Sequence, residues 1–473
     1  MTEPIISVSG LRGIVGESLS PEVAVSYVAA FVGQLGPGPI VVSRDGRTTG
    51  AMLADAVHSA VQAAGRDCLD AGIAATPTTG VLVRELKAAG GVQISASHNP
   101  PPYNGIKLFG PDGRVVPAAF GKRVLDAYRA GNPQWAKFDQ IGSWETVRDT
   151  TSAHLTKVLA LVDVPIIRKR GFRVLLDSNR GSGSVLGVKL LEALACKVEL
   201  RGGTPDGRFE HPPEPTEENL ASVAQAAASA GCDVGFCQDP DADRLALLDE
   251  RGRYIGEEYT SALCTDRVLQ KTPGPVVTNC STSRMTEDLA AKYGVPFSRS
   301  AVGEANVADE MIARRATFGG EGNGGPIDPR VGYVRDSFVG MALILDGLAA
   351  RGGTLSQWAA SLPRYEIEKT KMTLAPEKLP AGLAALREHF RDARFDTLDG
   401  LRLDWPNRWL LVRASNTEPI VRAIAEAPPP PKLAACARKR CKFWRRFNGS
   451  RVPHSRPWAN DGATAQPKFA EGR

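Results

Sequence analysis

No apolar run in the 473 residues reaches the roughly 18 needed for a membrane-crossing helix. The start, Met1-Thr2-Glu3-Pro4, has no basic segment followed by an apolar stretch, so no secretory signal is expected and a cytoplasmic location is. Eight cysteines lie scattered at 68, 196, 232, 237, 264, 280, 436 and 441. The close pairs Cys232/Cys237 and Cys436/Cys441 lack a second pair of ligands, which argues against zinc. Without an export signal the eight read as reduced thiols. The 48 Gly and 34 Pro show no triplet period, which excludes a collagen. With 42% hydrophobic and 23% charged residues, the chain suits about three domains by length and can bury large cores.

The net charge of +6 is unevenly placed. Residues 428–473 hold 11 Lys and Arg against 2 Asp and Glu, a net +9. Residues 1–427 therefore carry 47 basic against 50 acidic side chains, a net −3. The body is mildly acidic, so it is not expected to bind nucleic acid.

Helix and strand signals alternate along the body, which points to α/β architecture. Ser20-Pro21 predicts a capped helix to about Leu35, and Pro39–Ser43 a buried strand. Ala51–Ala64 is periodic as a helix, with Gly65 as its stop. Further strands are predicted at 91–95, 172–177, 196–200, 232–237, 245–249 and 275–278. Further helices follow Gly183 and span 257–270, 284–293 and 304–314. Seams are expected near 150, 252 and 365. After Ala427 four prolines and a basic cluster (Arg438, Lys439, Arg440, Lys442, Arg445, Arg446) replace this pattern, and 428–473 reads as a poorly ordered or frame-shifted tail.

Four segments can carry chemistry. In Ser95-Ala96-Ser97-His98-Asn99-Pro100-Pro101-Pro102-Tyr103-Asn104-Gly105-Ile106-Lys107, a strand ends in a proline-held loop. Ser97 there stands beside His98 and Lys107, where a hydroxyl can accept a phosphoryl group; a capping Ser in a plain loop is the alternative. In Asp239-Pro240-Asp241-Ala242-Asp243-Arg244, an extended loop would project three carboxylates to one side, and a hard cation is their natural neutraliser. An EF-hand fails because its sixth position is Arg244 rather than Gly. Gly319-Gly320-Glu321-Gly322-Asn323-Gly324-Gly325 lets a ligand approach the backbone, with Glu321 and Asn323 suited to vicinal hydroxyls; a flexible loop is the alternative. Arg413-Ala414-Ser415-Asn416-Thr417-Glu418-Pro419-Ile420-Val421-Arg422 suits a phosphate dianion, or is an ordinary strand–turn–strand. Ser9-Gly10-Leu11-Arg12-Gly13 is a weaker fifth segment.

In their chain order these segments resemble the signature loops of the α-D-phosphohexomutase superfamily, over about residues 5–427. The resemblance implies four domains around a central cleft, three related α/β modules plus a smaller α+β C-terminal domain. They are expected at 1–150 (phosphoserine loop), 151–252 (metal loop), 253–365 (sugar-binding loop) and 366–427 (phosphate-binding). It implies an isomerase that interconverts hexosamine or hexose 6-phosphate and 1-phosphate through phosphorylated Ser97 and a hexose 1,6-bisphosphate. It also implies one Mg²⁺ per chain, held by the phosphoserine at Ser97 with Asp239, Asp241 and Asp243. Arg12, His98 and Lys107 are implied beside the transfer, with Arg12 and Lys107 assisting proton movement; a Lys in that role needs a depressed pKa. Arg244, Glu321 and Asn323 are implied substrate ligands. Arg413, Ser415, Asn416, Thr417 and Arg422 are implied as the clamp for the phosphate that stays in place.

The sugar loop ends here in Gly325, where many relatives carry His; this resembles a branch acting on glucosamine phosphate, with mannose and glucose phosphates as the alternative. A non-catalytic sugar-phosphate-binding relative is the competitor from another class, and the intact Ser97 and Asp triplet argue against it. A monomer or homodimer is expected.

Overall fold

The computed structural model describes residues 3–7, 10–374, 376–414 and 420–429. Ser9, Ser415, Asn416, Thr417 and the tail from Pro430 lie outside the described residues.

Four sheets follow one another along the chain. The first runs in the order Ile5–Ser7, Gly10–Ile14, Tyr103–Phe109, Gly90–Ile94, Ile40–Arg44, Cys68–Ile73, Trp144–Thr146. Its last four strands are parallel to one another, and Tyr103–Phe109 pairs antiparallel on both sides. The second sheet is ordered Leu245–Leu248, Val234–Gln238, Arg173–Asp177, Lys197–Arg201. The third is ordered Phe297–Ser300, Val276–Asn279, Phe318–Glu321, Gly325–Ile327. Each has a parallel centre and one antiparallel edge hairpin. The fourth sheet, of five strands, is wholly antiparallel, as an α+β domain needs.

Local chemistry accounts for several elements. Ser20 accepts from the backbone N–H of Val23 at 3.3 Å and Pro21 opens the helix, which ends at Val32. Thr354 and Gln357 form a reciprocal capping box for Leu355–Ala360. The helix Glu304–Arg314 matches its sequence-predicted bounds.

Three expectations are corrected. Tyr103–Phe109 is a strand, so Lys107 stands on a sheet rather than a loop. The glycine-rich run is a hairpin, with Phe318–Glu321 paired to Gly325–Ile327. The carboxylate segment is not extended. It is a tight hairpin turn between Val234–Gln238 and Leu245–Leu248, with Ala242 left-handed at φ 56°. The carboxylates converge because the turn curls, not because the chain alternates.

The largest apolar core joins the second and third modules and reaches Ala75 and Val81 of the first. Its axis is a helix that sequence periodicity does not reveal, Ser337–Arg351, buried on every side from Ser337 to Leu348. Asp336 caps it, accepting from the N–H groups of Phe338 and Val339 at 2.9 and 3.2 Å. The same carboxylate lies 2.7 Å from His154 Nε2, and His154 Nδ1 lies 2.9 Å from Thr78 Oγ1, so one buried chain of polar groups ties three modules together. The fourth sheet docks on the third module through Glu426, which accepts from Arg284 N–H at 2.9 Å and from the Ser283 hydroxyl. Arg402 donates to the carbonyl of Cys280.

The loop after Lys197–Arg201 is held to the second sheet by His211, whose Nε2 lies 2.8 Å from Asp177 Oδ2. Burial pulls this imidazole down, but Asp177 outweighs it and the pKa is raised above 6.5. A raised histidine stabilises fully below the unfolded value and loses that contribution as pH rises through the folded one. The stability gap between the native chain and His211→Gln, from urea titrations, is therefore expected to be larger at about pH 6 than at about pH 8.5. An equal gap at both would reject the ion pair.

Candidate active site

Ser97 is fully buried and left-handed, at φ 51°. Such backbone in a non-glycine residue persists only where its surroundings hold it. Here they do. Ser97 N–H donates to Ser95 Oγ at 2.9 Å, and Ser95 donates to Asp45 Oδ2 at 2.7 Å. Arg47, 3% exposed, donates to the carbonyls of Ser97 and Asn99 at 2.6 Å and of Pro100 and Tyr103 at 2.9 Å. Its Nε lies 3.2 Å from Asp45 Oδ2. Neither Asp45 nor Arg47 stands out in the sequence; two charges flanking Gly46 just after the buried strand Pro39–Ser43 were the available signal.

The Ser97 hydroxyl donates to Asp239 Oδ2 at 2.6 Å and lies 3.2 Å from His98 Nδ1. Asp239, Asp241 and Asp243 are each fully buried, with one oxygen of each within 4.8 Å of the others. Thr76, missed in the sequence, steadies this turn: its N–H donates to the Asp241 carbonyl at 2.9 Å and its hydroxyl to Asp241 Oδ2 at 2.6 Å. Lys107 Nζ bridges Asp241 Oδ2 at 2.5 Å and Asp243 Oδ2 at 2.8 Å. Asp241 Oδ1 and Asp243 Oδ1 are buried without a hydrogen-bond partner. Two orphaned carboxylate oxygens beside a third acid, all hard oxygen donors, fit a divalent cation of the Mg²⁺ class.

The electrostatics divide the group. Burial, then Asp243 and Asp241, push Asp239 well above the usual carboxylate range. Burial acts the same way on Asp243, but Arg335, Lys107 and Arg244 outweigh it and hold that carboxyl low. Burial, then Arg244 and Arg12, push His98 well below 6.5, so a neutral imidazole faces Ser97 near pH 7. Lys107 departs from expectation. Burial lowers it, but Asp241 and Asp243 dominate and the ammonium is held charged, not depressed. Its hydrogen-bond partners are two carboxylates, which favour the charged ammonium. Arg12, on the strand Gly10–Ile14, donates to Asn99 Oδ1 at 3.1 Å; burial lowers its pKa.

Beside this centre lies a cavity of about 500 Å³, whose walls include His98, Arg244, Glu321, Asn323, Arg413 and Arg422, drawn from all four modules. Glu321 is held by Asn279 Nδ2 at 2.7 Å and Arg335 at 2.8 Å. Asn323 Oδ1 is buried without a hydrogen-bond donor. Gly324, at φ 80°, keeps that turn tight; a Cβ there would lie 2.4 Å from the Leu245 carbonyl oxygen. Arg413 and Arg422 are paired across adjacent strands of the fourth sheet, and Arg413 Nε donates to Asp399 at 2.9 Å. The fold thus gathers every described residue that the sequence singles out.

Models of the phosphoglucomutase/phosphomannomutase domains match the chain in order. The alpha/beta/alpha domains I, II and III match residues 5–134, 152–252 and 257–365, and the C-terminal domain matches 370–442. The chain belongs to the phosphoglucomutase/phosphomannomutase family. It is 37% identical over 428 residues to a phosphoglucomutase/phosphomannomutase of Thermococcus kodakarensis, covering 88% of this chain and 93% of that one. It is 33% identical over 425 residues to a probable phosphoglucosamine mutase of Methanopyrus kandleri, covering 89% and 93%. The solved structure of a family protein from Burkholderia thailandensis superposes with TM-score 0.81 at 25% identity, covering 94% of this chain and 98% of that one. The C-terminal match runs to residue 442, past the composition change at 428. Among the described residues no helix is long and apolar enough to cross a membrane.

Proposed function

We propose that this phosphohexomutase interconverts glucosamine 6-phosphate and glucosamine 1-phosphate, using Ser97 as the phosphoryl carrier. The observation that carries the reading is the 2.6 Å contact of the Ser97 hydroxyl with a buried carboxylate trio, beside a cavity walled by Glu321, Asn323, Arg413 and Arg422. Phosphoryl transfer needs charge neutralisation and in-line positioning more than covalent assistance. In the forward half-reaction the P–O bond to phosphorylated Ser97 breaks as a bond to a sugar hydroxyl forms, and the proton of that hydroxyl ends on the released seryl oxygen, restoring the Ser97 hydroxyl. The 1,6-bisphosphate then turns over, and its other phosphoryl group returns to Ser97. Asp239, Asp241 and Asp243, with the phosphoryl group on Ser97, would hold a divalent cation such as Mg²⁺, which would supply positive charge against the transferring group.

The chain's own residues do the rest. Arg47 and Asp45 fix the Ser97 backbone. Arg12 and Arg244 add positive charge around the transfer, and neutral His98 hydrogen-bonds the seryl oxygen. Lys107, charged and pinned by two carboxylates, serves as a fixed cation. Glu321 and Asn323 take the 3- and 4-hydroxyls. Arg413 and Arg422, with Ser415, Asn416 and Thr417, take the phosphate that is not transferred, at either end of the sugar.

The choice of sugar rests on charge. Glu214 and Glu217 line the cavity, as do Glu257, which Lys369 pairs, and Glu258, which burial pushes well above the usual carboxylate range; a 2-ammonium group gains more from carboxylates such as the first two than a 2-hydroxyl does. The 37% identity to a phosphoglucomutase/phosphomannomutase favours a second reading, glucose and mannose phosphates. Turnover of glucosamine, glucose and mannose 1-phosphates, primed with the matching 1,6-bisphosphate and followed by phosphorus NMR, decides. We expect the highest kcat/KM for glucosamine 1-phosphate. A preference for either neutral sugar selects the second reading, and no turnover of any sugar rejects the mutase.

A further inference from the structure

Arg335 immediately precedes Asp336, the cap of the helix Ser337–Arg351, and none of the four loops accounts for it. It is 7% exposed. One guanidinium nitrogen donates to Asp243 Oδ2 at 2.6 Å and the other to Glu321 Oε2 at 2.8 Å. Its backbone N–H donates to Glu304 Oε1 at 2.8 Å, and its Nε lies 3.7 Å from Glu304 Oε2. Its stem crosses the backbone of Gly325. A Cβ at 325 would lie 2.4 Å from Arg335 Cδ and 2.8 Å from Cγ, so any side chain there competes with the arginine for the same space.

A single planar fork therefore joins a carboxylate of the metal-type cluster, from the second module, to the carboxylate that faces the sugar cavity, from the third. Asp243 Oδ2 is engaged by Arg335 and Lys107, which leaves Oδ1 as the oxygen available to a cation. Glu321 Oε2 is engaged by Arg335, while Oε1 takes Asn279 and the N–H of Gly303. Buried Asp243 and Glu321, and the partly buried Glu304, gather around the Arg335 guanidinium, and without its rigid geometry they repel and turn away. Lysine does not reproduce this arrangement, because its single nitrogen would have to reach both carboxylates that the arginine fork reaches with two.

We propose that Arg335 is a positioning residue for both halves of the site. It orients Asp243 for the divalent cation and Glu321 for the sugar hydroxyls, and Gly325 is the notch that admits it. The sugar half rests on the mutase reading above; the cation half does not.

Two variants of the full chain test this. Arg335→Lys is expected to weaken binding of Mn²⁺ alone, by isothermal titration, about 10-fold or more, and to lower kcat/KM about 10- to 100-fold, with KM raised as well as kcat reduced. Gly325→Ala leaves Arg335 in the sequence but pushes its stem aside, and is expected to show the same paired losses. Combining the two is expected to add less than about twofold to Arg335→Lys, because both act through one contact. Gly325→Ala with native melting, and with Mn²⁺ affinity and KM both within about twofold of the native chain, overturns the proposal whatever Arg335→Lys does. A chain that unfolds on either change also overturns it, since the role is then structural. A native chain that binds Mn²⁺ but turns over no hexose phosphate sinks the mutase reading instead, and the Mn²⁺ comparison still decides the role of Arg335.

Discussion

Ser97→Ala is expected to abolish mutase turnover, by at least about 10⁴-fold, while the chain stays folded. The hydroxyl is the only atom removed, and no other described hydroxyl lies on both the Asp239 carboxylate and His98. The structural cost is small. Alanine tolerates the left-handed backbone about as well as serine, and Asp239 loses one donor, worth about 1–3 kcal/mol. The large shared core is untouched. The assay is the bisphosphate-primed reaction, alongside a thermal melt. Retained turnover would remove Ser97 from the mechanism and leave the cavity as a binding site only.

Arg47→Ala is expected to damage both activity and stability, which separates it from Ser97→Ala. Arg47 holds four backbone carbonyls of the Ser97 loop and pairs with Asp45, which is fully buried. Its guanidinium also lies 5.0 Å from the ring centre of Phe209 in the second module. Removal strands Asp45 without its cation, a loss of about 3–5 kcal/mol for a broken buried pair. Freed of its clamp, the Ser97 backbone leaves the left-handed region, and a displacement of about 1 Å in a reacting group costs on the order of 100-fold in kcat. Arg47→Lys is expected to fall between, since one ammonium has three donors for five acceptors. A melt and a kcat determination on the same preparations check it. If kcat falls with no change in melting, Arg47 acts on the substrate rather than on the loop.

The same contrast runs through what could be read before the fold was known. Ser97, the three aspartates, Glu321, Asn323 and the two arginines at 413 and 422 stand out because each lies in a short run whose composition has few other uses. Three prolines, alternating acids or five glycines in seven are local facts. Helix bounds were legible where one face is polar, as in Glu304–Arg314. They were not legible for Ser337–Arg351, because a helix buried on all sides has no polar face to set a period. Lys107 was found as a residue but its setting was not, since the proline-rich approach hid the strand Tyr103–Phe109.

The amino-acid sequence by itself determined the family, the order of the four loops and the identity of the groups they present, since these are matters of residue type within a few positions. Only the tertiary structure decided what those groups do to one another. Lys107 is a pinned cation because two aspartates more than 130 positions away close on it. Arg47 and Arg335, single arginines without a motif, become anchors because their partners come from other strands and other modules. A buried charge takes its state from whatever surrounds it in space, and for these residues the surroundings are assembled only when distant segments pack.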